Sequence, residues 1–118
     1  MTDIFLKRAY TEPERGDGAR VLVDRLWPRG VKKESLALDD WCKEIAPSDS
    51  LRQWFDHDPD KWKKFRTEYM QELKSNKERA RQLLDQSKNG RLTLVYAAKD
   101  EEHNHARVLR EYLKKMDH

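Results

Sequence analysis

Leu92-Thr93-Leu94-Val95-Tyr96-Ala97 is apolar or β-branched on both faces of an extended chain, and it gives way to Lys99-Asp100-Glu101-Glu102. An apolar stripe at helical spacing follows: Ala106, Leu109, Tyr112, Leu113 and Met116. A strand that is apolar on both faces belongs in a sheet covered on both sides, and such sheets are parallel. Strand, polar turn and helix in that order form the repeating unit of that architecture. Val21-Leu22-Val23, followed abruptly by Asp24 and Arg25, has the same character. The expected fold is therefore α/β: a small, largely parallel sheet of about four short strands flanked by helices, closing on a strand-turn-helix unit.

The other elements fit around that unit. Ile4 to Arg8 reads as a short strand, and Thr11 to Gly18, with Pro13, Gly16 and Gly18, reads as a loop. The apolar run through Val23 is expected to continue as a strand from Arg20 until Pro28 and Gly30 stop it. Asp40 to Ile45 alternates in a way that suits a half-buried strand closing at Pro47, with a short helix as the other reading. Ser48 is placed to cap a helix carrying Leu51, Trp54 and Phe55. Asp58-Pro59 is a strong helix start, and Trp62, Phe65, Tyr69 and Leu73 continue it with core spacing. Ser75 with Glu78 has the form of a capping box for a helix burying Ala80, Leu83 and Leu84. Asp100 is the expected cap of the last helix. No linker or repeat divides the chain, so one domain over residues 1–118 is expected.

Composition narrows the function classes. The chain of 118 residues carries 25 basic and 22 acidic side chains, for a net charge of +3, and the two signs are interleaved. Mixed charge of this kind is a solvated surface more than a polyanion-binding one. No apolar run approaches the roughly 20 residues that span a bilayer, so no membrane partner is expected. The first residues lack the pattern of a secretory leader, and the single cysteine, Cys42, offers no internal disulfide. A cytoplasmic location is the expectation. Cys42 has no histidine beside it in sequence and reads as a packing residue.

Two segments carry unusual polar groups at strand ends, where ligands bind in open α/β sheets. The first is Asp24-Arg25-Leu26-Trp27-Pro28-Arg29-Gly30. Asp24 would orient a partner or act as a base, while Arg25 and Arg29 would hold negative charge with their planar forks. A buried ion pair that fixes the loop is the structural reading of the same residues. The second is Lys99 to His105. On a helical wheel His105 falls within the arc of Leu109, Tyr112 and Met116 and so faces the sheet. It is the candidate proton carrier, with a satisfied core histidine as the alternative. Tyr96, Lys99, Asp100 and Asn104 would line the same place. Ser48 and Arg52 add a hydroxyl, a guanidinium and a helix start suited to a phosphate or carboxylate, although simple capping explains Ser48 equally.

Other chemistries have no motif. His103 and His105 lie about 200° apart on a helix, whereas metal pairs sit at i, i+4, so no metal site is expected. Nothing matches a Walker loop, a glycine-rich dinucleotide turn or a strained serine elbow, and no cofactor is implied.

Three strings taken together resemble a known family. Val-Leu-Val-Asp-Arg-Leu-Trp-Pro-Arg-Gly, Ala-Pro-Ser-x-x-Leu-Arg-x-Trp-Phe-x-His-Asp-Pro and Tyr-Ala-Ala-Lys-Asp-x-x-His-Asn-His-Ala look like the short, YeaO-like branch of domain-of-unknown-function family 488. The resemblance spans nearly the whole chain and implies an α/β fold with a short, largely parallel sheet, but no established activity. Longer members end in a strand and helix of the form Leu-Cys-Ala-Glu…Cys-His-Arg. On that pattern His105 matches the histidine, while Tyr96 and Asn104 stand for the cysteines, Ala98 for the glutamate and Ala106 for the arginine. Chemistry that needs those thiols, that carboxylate or that arginine does not carry over.

The leading expectation is a site for a small anionic or nucleotide-like molecule at the carboxyl edge of the sheet, with proton transfer or water-mediated hydrolysis as the conceivable chemistry. A nucleic-acid-binding module using Trp27 or Trp54 for stacking is the second. A non-catalytic interaction subunit is the third. A concave pocket beside His105 separates the first from the others. His105 is expected to serve a ligand more than stability.

Overall fold

Leu22 and Val95 sit at the centre of the sheet because neither face of their strands meets water. The structure, a computed structural model, describes residues 2–117. Among them, four strands form one sheet: β1 (Asp3–Arg8), β2 (Ala19–Leu22), β3 (Asp40–Trp41) and β4 (Arg91–Tyr96). The order is β1-β4-β2-β3 and every pair is parallel. The helices are α1 (Lys33–Leu36), α2 (Asp49–Phe55), α3 (Trp62–Ser75), α4 (Lys77–Asp85) and α5 (His105–Met116). The fold is α/β, as strands apolar on both faces require.

The side chains of β2 and β4 alternate between two cores. Val21 and Val23, with Leu92, Leu94 and Tyr96, pack against Phe65, Tyr69 and Leu73 of α3 and Leu109 and Leu113 of α5. Leu22 and Val95 point the other way, onto Ala9 and Leu36, and Trp27, Val31, Leu38 and Trp41 close over them. Burying each such side chain contributes about 1.5–3 kcal/mol. The second core is covered by the loop after β2 and the single turn of α1, so that loop is held at both ends. Trp27 Nε1 donates to Val31 O at 2.8 Å, and Trp41 Nε1 donates to Asp24 O at 2.7 Å. The two indoles meet edge to face, 5.4 Å between centroids.

Several elements differ from the sequence expectation, each for a physical reason. Asp40 to Ile45 is not one strand: β3 pairs only two residues with β2, and a 3-10 turn follows at Lys43–Ile45. That turn lets Cys42 and Ile45 both enter the core, which alternation cannot do. β2 ends at Leu22 as a ladder strand, although Val23 N still donates to Val95 O at 3.0 Å. Asp58-Pro59 opens a 3-10 turn at Pro59–Lys61 that runs into α3. Ser75 is the last residue of α3 and not a cap; Asn76 stands between α3 and α4, and its Nδ2 donates to Glu44 O. The last helix starts at His105 and is capped by Asn104, whose Oδ1 accepts from Arg107 N at 3.1 Å. Asp100 instead caps the bend before it, accepting from the N–H groups of Glu102 and His103.

Candidate functional site

Because β2 and β4 are parallel neighbours, their carboxyl ends emerge side by side, and the chain after each turns polar at the same level. Asp24 Oδ2 accepts from Ala97 N at 3.0 Å, which ties the two turns together. α5 starts just above, and its first residue, His105, reaches back over the strand ends. His105 Nε2 lies 3.0 Å from Val23 O and 3.1 Å from Asp24 Oδ1. Both neighbours only accept, so Nε2 carries a proton. The N–H is aligned on Val23 O, and Asp24 Oδ1 is left buried without a hydrogen bond. The ring edge also meets Tyr69, 6.2 Å between centroids. Val23 O thus orients the His105 ring, Asp24 sets its charge beside it, and the two side chains are about equally exposed, at 15% and 16%.

A cleft of about 740 Å³ opens over this pair. Its walls come mainly from three segments, residues 24–29 after β2, residues 46–57 around α2 and residues 97–105 before α5, with Tyr10 and Phe65 added. Apolar wall is supplied by Trp27, Pro28, Pro47, Phe55 and Phe65. Arg25, Arg29, Arg52 and Lys99 line it as cations, against the carboxylates of Asp24, Asp56 and Asp100. These cations are not equivalent. Arg25 Nη2 donates to Pro47 O at 3.3 Å and its Nε lies 3.4 Å from Asp49, buried without a hydrogen bond. Arg52 contacts the same Asp49 oxygen at 3.2 Å. Arg29 and Lys99 are exposed and, among the described residues, make no ion pair and no side-chain hydrogen bond. They are the cations left over for something else.

Asp100 and Asn104 line the cleft but are mostly occupied in shaping it. The N–H groups of Glu102 and His103 hold the Asp100 carboxyl below its usual range, and His103 Nδ1 lies 3.0 Å from its second oxygen. Asn104 is buried; its Nδ2 donates to Asp100 O and its Oδ1 caps α5. Two of the residues singled out by sequence lie outside the cleft. Tyr96 is buried in the helix-side core, where burial pushes its hydroxyl up. Ser48 caps α2 as expected, but the anion at that helix start is internal. Ser48 N and Oγ both donate to the Glu72 carboxylate, at 2.8 and 2.6 Å.

Tyr10 and His57 line the cleft without having been singled out. Tyr10 lies two residues past the end of β1, and the rule that ligands gather at carboxyl ends of neighbouring strands applies to it too. Asp56 and His57 both have positive φ, 44° and 55°, conformations that cost side-chain-bearing residues energy and gather at functional sites. Only the dense polar string after α2, Asp-His-Asp-Pro, hints at that in sequence. Cys42 is fully buried outside the cleft, and burial pushes its thiol up to about 11, so it stays protonated and inert. Among the described residues no three histidine, cysteine or carboxylate side chains converge as metal ligands. Among the described residues no helix is long and apolar enough to cross a membrane.

Comparison with known proteins agrees with the pattern of strings along the chain. The chain is 46% identical over 114 residues to the uncharacterized protein YeaO of Escherichia coli K12, covering 97% of this chain and 99% of that one. It is 36% identical over 112 residues to uncharacterized proteins of Mycobacterium bovis and Mycobacterium tuberculosis, covering 95% of this chain and 94% of each. No solved structure matches. The family described as the inactive DUF488-N3 subclade matches residues 3–117, nearly the full length, and the chain belongs to it.

Proposed function

We propose that this protein binds a small anionic molecule with an apolar or aromatic body in the cleft at the carboxyl edge of the sheet, without turning it over. The observation that carries this reading is the pair of unspent cations, Arg29 and Lys99, on the rim of an apolar cleft. Charge without a partner beside desolvating walls is the ordinary make-up of a site for an organic anion. The cleft volume lies in the range of small-molecule sites. The anion is held by Arg29, Lys99 and the outer face of Arg52, with the His105 ring in the wall of the cleft.

Binding without turnover is favoured by what the cleft lacks. Among the described residues no serine, threonine or cysteine lines it. The residues at positions 96, 98, 104 and 106 are Tyr, Ala, Asn and Ala, where the longer relatives' pattern has two thiols, a carboxylate and an arginine. The matched subclade is itself described as inactive. The Asp24–His105 pair then serves to hold the floor of the cleft in one geometry.

The test is thermal unfolding of the whole chain with phenyl phosphate, benzoate and inorganic phosphate. Phenyl phosphate is expected to raise the midpoint saturably and more than inorganic phosphate does. Arg29→Gln with Lys99→Gln is expected to weaken that binding by about tenfold or more. No midpoint shift with any of the three, or equal shifts in wild type and variant, would count against the reading.

A further inference from the structure

On the far side of His103 lies a second concavity, a groove of about 610 Å³ between α3 and α5. Trp62 and His103 close one end of it, ring edge to ring face, 5.4 Å between centroids. Its long wall is α5, from which Arg107, Arg110 and Lys114 project at i, i+3 and i+7, one face of the helix. Cations at this spacing repel one another, so the protein alone gains nothing from the arrangement.

The local electrostatics make the cost specific. Arg107 sits in the first turn of α5, at the positive end of the helix dipole, where a cation is disfavoured. Its closest polar contact is a carbonyl, Glu101 O at 3.4 Å. Arg110 is half-buried, and burial together with the charge of Arg107 holds its guanidinium below the usual value. Glu111 would be a natural partner, but Arg66 has taken it: Nε and Nη2 of Arg66 both reach Glu111 Oε2, at 2.9 and 2.6 Å. The other carboxylate of the groove, Glu102, is exposed and reaches none of the three cations as an ion pair. Among the described residues Arg107, Arg110 and Lys114 have no acidic partner at all. A fold that keeps three clustered cations unpaired in a concave surface is arranged around negative charge from outside.

We propose that this groove is a second binding site, separate from the cleft, for a diphosphate or comparably dense phosphate group, with Arg107 and Arg110 as forked ligands and Lys114 as a third charge. Arginine is suited to this role because its planar donors match phosphate oxygens two at a time. The same chemistry is offered by a free diphosphate and by the backbone of a single-stranded nucleic acid. The proposal does not rest on the reading of the cleft, because the two sites share no cation.

The experiment is an NMR titration of the isotopically labelled whole chain with pyrophosphate at constant ionic strength. Wild type, Arg107→Gln with Arg110→Gln, and Arg29→Gln with Lys99→Gln are compared. Saturable shifts across residues 102–114 are expected in wild type and in the cleft variant. In the groove variant binding is expected to weaken by about tenfold or more. Arg110→Gln alone, which relieves repulsion, is expected to leave the unfolding midpoint of the free protein unchanged or raised. If the double groove variant does not fold, Lys114→Gln, at an exposed position, is expected to weaken binding severalfold.

A short single-stranded oligonucleotide completes the set. If it competes with pyrophosphate, the site stands with nucleic-acid backbone as the source of phosphate. If pyrophosphate binds and the oligonucleotide does not, the site stands with a free diphosphate as the source. Absence of shifts in the groove, shifts confined to the cleft, or equal affinity in wild type and groove variant overturns the proposal. A midpoint lowered by Arg110→Gln also overturns it, because Arg110 would then be a structural residue.

Discussion

The two ends of the central sheet treat charge in opposite ways. At the start of β2, Asp17 and Arg20 are buried at 5% and 3% exposure and pair with each other, although Arg20 Nη2 is buried without a hydrogen bond. Arg20 Nη1 meets Asp17 Oδ2 at 2.7 Å, Lys7 reaches the other Asp17 oxygen at 2.8 Å, and Arg20 Nε donates to Leu36 O. Thr93 Oγ1 donates to Asp17 O, which binds the same turn to β4. Gly18, with φ of 67°, is required there, because a Cβ would lie 2.3 Å from Arg91 O. Past the other end of the same strand, Asp24 and Arg25 each keep a buried atom without a hydrogen bond, and Arg29 and Lys99 have no partner. One end closes its charges in ion pairs, and the other leaves two cations open. A charge paired inside the protein marks scaffold, and an unpaired one on a cleft marks a candidate site.

The sharpest way to break this contrast is at the closed end. Asp17→Ala leaves Arg20 buried without its carboxylate and is expected to cost about 3 kcal/mol or more of stability. Chemical denaturation measures it, and a cost below about 1 kcal/mol would mean that the closed end is not scaffold. Acid is the second test. Burial pushes the Asp17 carboxyl up, but hydrogen bonds from Lys7, Glu14 N and Arg20 outweigh it and leave it lowered. Burial pushes Asp39 up as well but is outweighed by Lys88 and Arg20 N, and Asp40 is lowered by Gln86 first, against burial, with Trp41 N and Arg79 adding to it. Lowered carboxylates contribute stability above their unfolded pKa of about 4 and lose it as pH falls through their folded values. The unfolding midpoint is therefore expected to be flat down to about pH 5 and to drop below about pH 4, with Asp17→Asn flattening the drop.

His105 lies between the two extremes. The expectation from sequence is that its truncation costs little, but its N–H serves Val23 O beside a buried Asp24 oxygen. His105→Ala is accordingly expected to cost about 1–3 kcal/mol. Glutamine can place an N–H where Nε2 stands while offering nothing at Nδ1, so His105→Gln is expected to recover most of that stability. A glutamine variant as unstable as the alanine one would show that the ring, through Tyr69 and the cleft walls, is what the site needs. The smallest effect belongs to the open end: Arg29→Gln and Lys99→Gln are each expected to change stability by less than about 0.5 kcal/mol.

How much of this is legible in the sequence depends on how local the cause is. β4 and α5 are legible because their apolar patterns run for many residues without interruption. The meeting of Asp24 with the turn after Tyr96 is legible as well, since two buried strands that end in charge at parallel carboxyl edges bring their polar ends together. β3 is not, because a two-residue strand is set by its neighbour β2 and not by its own pattern. The start of α5 is misjudged by sequence because Asp100 and Asn104 both have capping chemistry, and only the bend between them decides which one caps the helix. The occupation of the α2 start by Glu72 is invisible in sequence, being a contact across 24 residues.

The most direct measurement of the central claim is the map of amide shifts produced by phenyl phosphate on the labelled whole chain. The open end of the sheet as a binding cleft predicts saturable shifts across residues 24–29 and 97–105, with none around Asp17 and Arg20. It also predicts that the map collapses in Arg29→Gln with Lys99→Gln. A saturable map centred elsewhere, or one unchanged in that variant, would contradict it.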